Sequence, residues 1–179
     1  FRSNVWFLPS EITEKTARFA KGVSFTAATF HEDMSFEKAV FEQEVSYGWA
    51  NFLGLSNWNF CEFKGKVNFE RLNCVGVFTV HNCVFSSEVG FEYGHFSKRA
   101  RFTGVKFVPT GDAGINFECV RFNDLADFAG AQFPQRYEHF SGAFVGAQFI
   151  GVADMRSDEA GGATWIAALD GALLSGKLL

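Results

Sequence analysis

Four histidines and four cysteines are the side chains of this 179-residue chain best suited to metal ligation or nucleophilic chemistry. His31, His81, His95 and His139 are scattered, and none sits in a Ser/His/Asp or Cys/His arrangement recognisable from sequence. Cys61, Cys74, Cys83 and Cys119 form no CxxC pair and no Cys/His zinc spacing. No P-loop, HExxH or GxGxxG motif occurs. The expectation is a chain that is not an enzyme and holds no cofactor or metal. Its histidines are expected at surfaces or corners, and its cysteines as reduced, mostly buried thiols.

Charge is the other chemistry on offer. The net charge is −4, which argues against direct nucleic-acid binding, since that usually needs a basic face. The charge is banded along the chain. Residues 19–63 carry six acids and two bases, residues 64–107 three acids and seven bases, and residues 108–179 nine acids and four bases. The basic cluster Lys98, Arg99, Arg101 and the acidic cluster Glu32, Asp33, Glu37, Glu42, Glu44 are candidate docking faces, with ordinary solvated surface as the alternative.

The elements that position these groups follow from one rhythm. Starting at Phe19, a large residue recurs at Phe25, Phe30, Phe36, Phe41, Tyr47, Phe52, Trp58, Phe63, Phe69, Cys74, Val80, Phe85, Phe91, Phe96, Phe102 and Phe107, in strictly alternating steps of six and five. It resumes at Phe117, Phe122, Phe128 and Phe133, then at Phe144, Phe149 and Met155. A second ladder of small or apolar residues lies two places before each of these, for example Ala39, Val45, Ala50, Cys61, Val67 and Cys83. Residues i−2 and i point the same way only in an extended chain. Each short segment therefore sends one small and one large side chain inward. An α-helix fails this pattern: at about 100° per residue, steps of five and six scatter the aromatics around the axis. A hexapeptide solenoid needs uniform steps of six.

The segments FTAATF, FEKAVF, FAGAQF and FVGAQF within residues 17–155 resemble the pentapeptide-repeat family, in a Phe-rich variant with alternating five- and six-residue units. The resemblance implies an all-β fold, a right-handed quadrilateral β-helix (β-solenoid), with the large and small ladders filling its interior. The six-residue units predict about 22 residues per coil, with an extra residue at alternate corners. Phe25, Phe30, Phe36, Phe41, Phe52, Phe63, Phe69, Phe85, Phe91, Phe96, Phe102 and Phe107 form the expected core, stacked in columns at 22-residue spacing. Cys61 and Cys83 share the small-residue row one coil apart and are expected free; Cys74 is expected buried, and Cys119 the most accessible. Gly54, Gly65, Gly104, Gly130, Gly146 and Gly151 fall two places after a ladder residue, at corners where positive φ favours glycine. Glu44, Lys66 and Glu88 form a column, Glu42 pairs with Lys64, and Glu70 stacks on Glu92 with like charge.

Residues 108–116 read as a distorted corner one residue short of an 11-residue unit, and residues 134–143 as a slip, with the ladder place falling on His139. Residues 1–16 are expected to cap the first coil, with Trp6, Phe7 and Leu8 over its core. Residues 156–179 are expected to form a C-terminal linker and helix from about Gly162 to Leu178. Trp165, Leu169 and Leu173 at i, i+4 and i+8 make a candidate homodimer interface. No membrane span and no signal peptide are visible, and a cytoplasmic location is the expectation, although a chain opening at Phe1 leaves room for a removed targeting segment.

Three functions follow as expectations. The first is a non-catalytic protein–protein interaction scaffold. The second, implied by the family resemblance, is a DNA-mimicking protein that binds type II topoisomerase (gyrase) and gives quinolone protection; the basic middle third counts against it. The third is an accessory domain of a larger, membrane-attached protein.

Overall fold

The computed structural model describes residues 1–7, 16–109, 114–133, 143–156, 169 and 171–179. Within these the chain is an all-β parallel solenoid of about six turns, with no helix among the described residues. One coil shows the construction. β2 (Arg18–Phe19), β3 (Val23–Ser24), β4 (Thr29–Phe30) and β5 (Met34–Glu37) fall in four different sheets, and β6 (Val40–Phe41) returns beside β2. The sheet holding β5 is called A here, and those holding β2, β3 and β4 are B, C and D. They contain seven, five, five and seven strands. Every pairing is parallel and in register at 22 residues through the middle of the molecule, as in Phe41↔Phe63↔Phe85.

The interior is the expected double ladder. Phe63 lies between Phe41 and Phe85 at centroid distances of 4.9 and 4.7 Å, with the rings nearly parallel. Eleven of the twelve phenylalanines expected in the core are buried. Phe25 departs from that expectation. It is only half-buried, because it lies in the first coil and stacks on Tyr47 on one side while Phe1 meets it edge-on. Where the large ladder thins, the small ladder compensates. Cys74 and Val80 occupy large-residue places, and Phe78 in the small row supplies the volume between Trp58 and Phe96. The Trp58 indole N–H donates to the buried Tyr47 hydroxyl at 3.4 Å, giving the two polar atoms each other.

Alternate corners use different solutions. The five-residue corners, after sheets A and C, pass through a left-handed residue. After sheet C the carbonyl of Phe25, Tyr47, Phe69 or Phe91 accepts from the N–H three residues on, with positive φ at the third residue: Ala27, Trp49, Arg71 and Tyr93. That is type II turn geometry. The six-residue corners spend their extra residue instead. Gly104, Gly130 and Gly146 have the expected positive φ, but Gly54, Gly65 and Gly151 do not, which corrects the reading of those three. They sit at six-residue corners, where a Cβ would lie 2.4–2.6 Å from backbone atoms of the preceding coil.

Two sequence expectations change at the irregular places. Residues 108–116 do not shorten an 11-residue unit. They lengthen one B-to-C corner from six residues to the ten between Phe107 and Phe117, since Val89 pairs with Ile115. The Phe133–Phe144 step likewise runs from sheet B to sheet C: Phe133 packs on Phe107 and Phe144 on Phe117, so the sheet C ladder place falls on Phe144. His139 itself lies outside the described residues.

At the N-terminal end, β1 (Val5–Phe7) adds a strand to sheet A, with Trp6 beside Ser35 on the outer face and 59% exposed. Trp6 therefore does not cover the core. Phe1 does part of that work, stacking on Phe30 at 4.9 Å. Leu8 lies outside the described residues.

At the C-terminal end, the described part of the expected helix is turn and short strand. β22 (Gln148–Phe149) pairs with β24 (Leu173–Leu174), and Leu178 bridges to Ala153. Leu169-x-Gly171-Ala172-x-Leu174-x-Gly176 repeats Phe144-x-Gly146-Ala147-x-Phe149-x-Gly151 with leucine for phenylalanine. Leu169 is a partly buried core residue and Leu173 faces outward, so the two do not share one apolar helix face. Trp165 lies outside the described residues. No helix among the described residues is long and apolar enough to cross a membrane.

Candidate interaction surface

Outward side chains inherit the coil register, so the functional candidates stand in columns. Of the expected charge columns, Glu42–Lys64 and Lys66–Glu88 form ion pairs, whereas no ion pair joins Glu44 to Lys66 among the described residues. Glu42 is shared by Arg18 and by Lys64 at 3.1 Å, and Lys66 holds Glu88 at 2.7 Å. Lys64 and Arg18 pull the Glu42 carboxyl below its ordinary range, while Glu88 raises Lys66. These are exposed pairs, screened by solvent and weak in their contribution to stability.

Face C carries a second, unbalanced column. Glu70, Glu92 and Glu118 follow one another on successive coils: Trp49, Arg71 and Tyr93 donate their backbone N–H groups to the carbonyls of Glu70, Glu92 and Glu118. The Asn68 and Asn116 side-chain oxygens accept from the backbone N–H of Glu70 and Glu118 and hold the turn. Glu92 folds over Gly90, and Asn116 donates to it at 3.0 Å. Desolvation first, and then the like charges of Glu70 and Glu88, push its carboxyl above the usual range. The expectation of like-charge stacking at Glu70 and Glu92 is therefore met.

Beside this column runs a ridge of unusual residues. Trp49, Arg71 and Tyr93 all have positive φ, at 61°, 54° and 57°. The Arg71 guanidinium carbon lies 4.7 Å from the Trp49 ring centroid and 4.9 Å from that of Tyr93, and its Nε donates to Glu70 at 3.2 Å. Trp49 is 56% exposed and Tyr93 49%. Sequence reading missed this ridge, since Tyr, Trp and Arg are not turn residues. The usable signal was their shared place, two residues after Tyr47, Phe69 and Phe91.

Face A offers a different surface, a shallow groove of about 500 Å³ lined by Asn57, Asn59, Thr79, His81, Arg101 and Asp127, among others. Asn57 donates to Ser35 at 3.3 Å, while its side-chain oxygen is the one buried polar side-chain atom without a partner among the described residues. His81 meets Phe60 edge-on and contacts Asn82, and His95 contacts Asn123. His31 is exposed. No group of three or more His, Cys, Asp or Glu is arranged to hold a metal among the described residues.

The cysteines stand as expected. All four are free; Cys61, Cys74 and Cys83 are buried and Cys119 is exposed. Burial pushes the Cys74 thiol up to about 11 and raises Cys83, so neither is a thiolate at neutral pH.

The linear charge bands are refined by the coil. Lys98 and Arg99 lie at the D-to-A corner, and Arg101 lies on face A against Asp127 at 3.9 Å. The three acids of the basic middle third, Glu70, Glu88 and Glu92, all line one small recess on face C. Compared with protein-family models, with curated proteins and with solved structures, this chain finds no match in any of the three.

Proposed function

We propose that this chain is a non-catalytic protein-interaction scaffold of the pentapeptide-repeat kind, with the right-handed quadrilateral form that the repeat resemblance implies. The observation that carries this reading is the register itself. An aromatic interior fixes each coil on the next, so exposed side chains stand in ordered columns on four faces. A surface already ordered loses little conformational entropy on binding. The DNA-mimic alternative draws less support, because Lys66 and Arg71 interrupt the acids of face C and Arg101 sits on face A. The test is affinity capture from the native host with the intact chain as bait, with gyrase inhibition assayed in parallel. A protein retained at stoichiometric yield supports the scaffold. Gyrase inhibition supports the mimic instead, and turnover of a small-molecule substrate by the chain alone overturns both.

A further inference from the structure

The corner after sheet C repeats one backbone conformation down the rod with changing residues. In the last two described coils it is filled by Gly146 and Gly171, the residue for which positive φ costs nothing. In the middle coils it is filled by Trp49, Arg71 and Tyr93, where an L side chain in this region costs about 1–2 kcal/mol each. The fold does not ask for these side chains, since neither aromatic ring enters the core. What they produce is a preformed ridge, with the guanidinium held between two half-exposed rings. Trp, Tyr and Arg are the residues that most often dominate protein–protein contacts; the two aromatics bury large area while losing few rotamers, and here the Arg71 side chain is already held between the two rings.

Charge complementarity fixes the occupant. On the flat side of the ridge stand Glu70, Glu92 and Glu118, with Glu44 and Glu88 at the far edge of the same face. The cations among them are Lys66 and Arg71, and both are already engaged, by Glu88 and Glu70. Glu92 takes its side-chain hydrogen bond from neutral Asn116 and lies next to two other carboxylates, while the nearby Lys66 is held by Glu88, so the column keeps an excess of negative charge.

We propose that this ridge and the flanking carboxylates dock a Lys/Arg-bearing segment of a protein partner. The partner's cations meet Glu92 and Glu118, and its aliphatic stems or apolar neighbours lie against Trp49 and Tyr93. The inference rests on the scaffold reading and gives it a surface and a chemistry.

The test uses the full chain and a fluorescein-labelled peptide of alternating lysine and leucine, with a glutamate–leucine peptide as control, followed by fluorescence anisotropy. The wild-type chain is expected to bind the basic peptide, more weakly as salt rises, and to ignore the acidic one. The double variant Trp49→Ala/Tyr93→Ala and, separately, Glu92→Gln/Glu118→Gln should each lose about tenfold or more in affinity. Trp6→Ala, which removes an exposed tryptophan from sheet A, should bind as wild type. The glutamine pair keeps the test alive if the aromatic pair fails to fold. Equal binding of both peptides, absence of binding, or loss only in the glutamine pair overturns the proposal; the last result means charge alone. A wild-type dimer in sedimentation that Trp49→Ala/Tyr93→Ala dissociates assigns the ridge to a second copy and also overturns it. Host proteins still captured by both double variants overturn this docking surface while leaving the scaffold reading intact.

Discussion

The middle coils and the C-terminal coils solve the same geometric problem with different residues. Between Phe36 and Phe107 the repeat is strictly 22 residues, the ladder is almost wholly aromatic, and the turn after sheet C carries bulky side chains. Beyond Phe107 the B-to-C connections lengthen, the turn reverts to glycine at Gly146 and Gly171, and the last coil replaces aromatics with Leu169 and Leu174. The difference separates what the fold requires from what it merely tolerates. In-register pairing and a filled interior persist throughout, whereas long connections and the identity of the turn residue vary freely.

The sharpest break in this comparison is expected in the core. Phe63→Ala opens a cavity between two rings stacked within 5 Å and should cost about 3–5 kcal/mol. Leu174→Ala, in the same kind of ladder place but 45% exposed, should cost about 1 kcal/mol or less. Guanidinium denaturation of both variants checks the pair; equal losses would mean that the terminal coil is as well packed as the middle.

This contrast also explains what the sequence reveals. Interior volume is demanding, so Phe41, Phe63 and Phe85 announce themselves at 22-residue spacing, and the free, buried Cys61 and Cys83 follow from the small-residue row two places before Phe63 and Phe85. Turn conformation is not announced when Trp49, Arg71 or Tyr93 occupies a place usually held by glycine or asparagine. Surface charge is legible as columns but not as faces: Glu70 and Glu92 stack visibly, yet their separation from Lys98, Arg99 and Arg101 requires knowing which corner each coil turns. The last coil misleads for a physical reason. Leu and Ala favour helix in isolation, and pairing along sheet D overrides that propensity at Leu173 and Leu174.

The next largest effect should come from close approach between coils. A Cβ at Gly76 would lie 1.8 Å from the Gly54 carbonyl oxygen, so Gly76→Ala should cost about 1–3 kcal/mol. At Gly48 the nearest atom is the Asn68 side chain, at 3.4 Å, and Gly48→Ala should be nearly neutral. Thermal melts that fail to separate these two would remove the distinction between a glycine required for space and one that is incidental.

A smaller, mirrored pair tests the turn after sheet C directly. Ala27→Gly releases a positive φ of 57° and should change stability by about 0 to +1 kcal/mol, the relief being partly offset by the freer unfolded chain. Gly146→Ala imposes the same strain and brings a Cβ to 2.9 Å from the Cys119 sulfur, so it should destabilise by about 1–2 kcal/mol. Shifts of the same sign in denaturation midpoint would show that the two ends of the corner column are not conformationally equivalent.

The smallest effect is electrostatic, and the two regions should respond to pH with opposite signs. In the middle coils Glu92 has its carboxyl raised, by desolvation first and then by Glu70 and Glu88. Its folded form binds a proton more readily than its unfolded form, so this residue takes stability away as pH rises from about 4.5 through the folded value. In the C-terminal coils Asp154 is lowered, chiefly because Arg156 donates to it, with its Nε at 2.9 Å. Its contribution is present above about 3.8 and is lost as pH falls from there through the folded value. Glu92→Gln should therefore raise the denaturation midpoint at pH 7 and leave it unchanged near pH 3.5. Asp154→Asn should lower the midpoint at pH 7, by an amount that shrinks as pH drops below 3.8. The mutant-minus-wild-type difference in each series isolates the residue from the rest of the acid titration. A Glu92→Gln chain that loses stability at pH 7 would mean that its carboxylate is stabilised within the chain. The face C column would then need no partner to balance it.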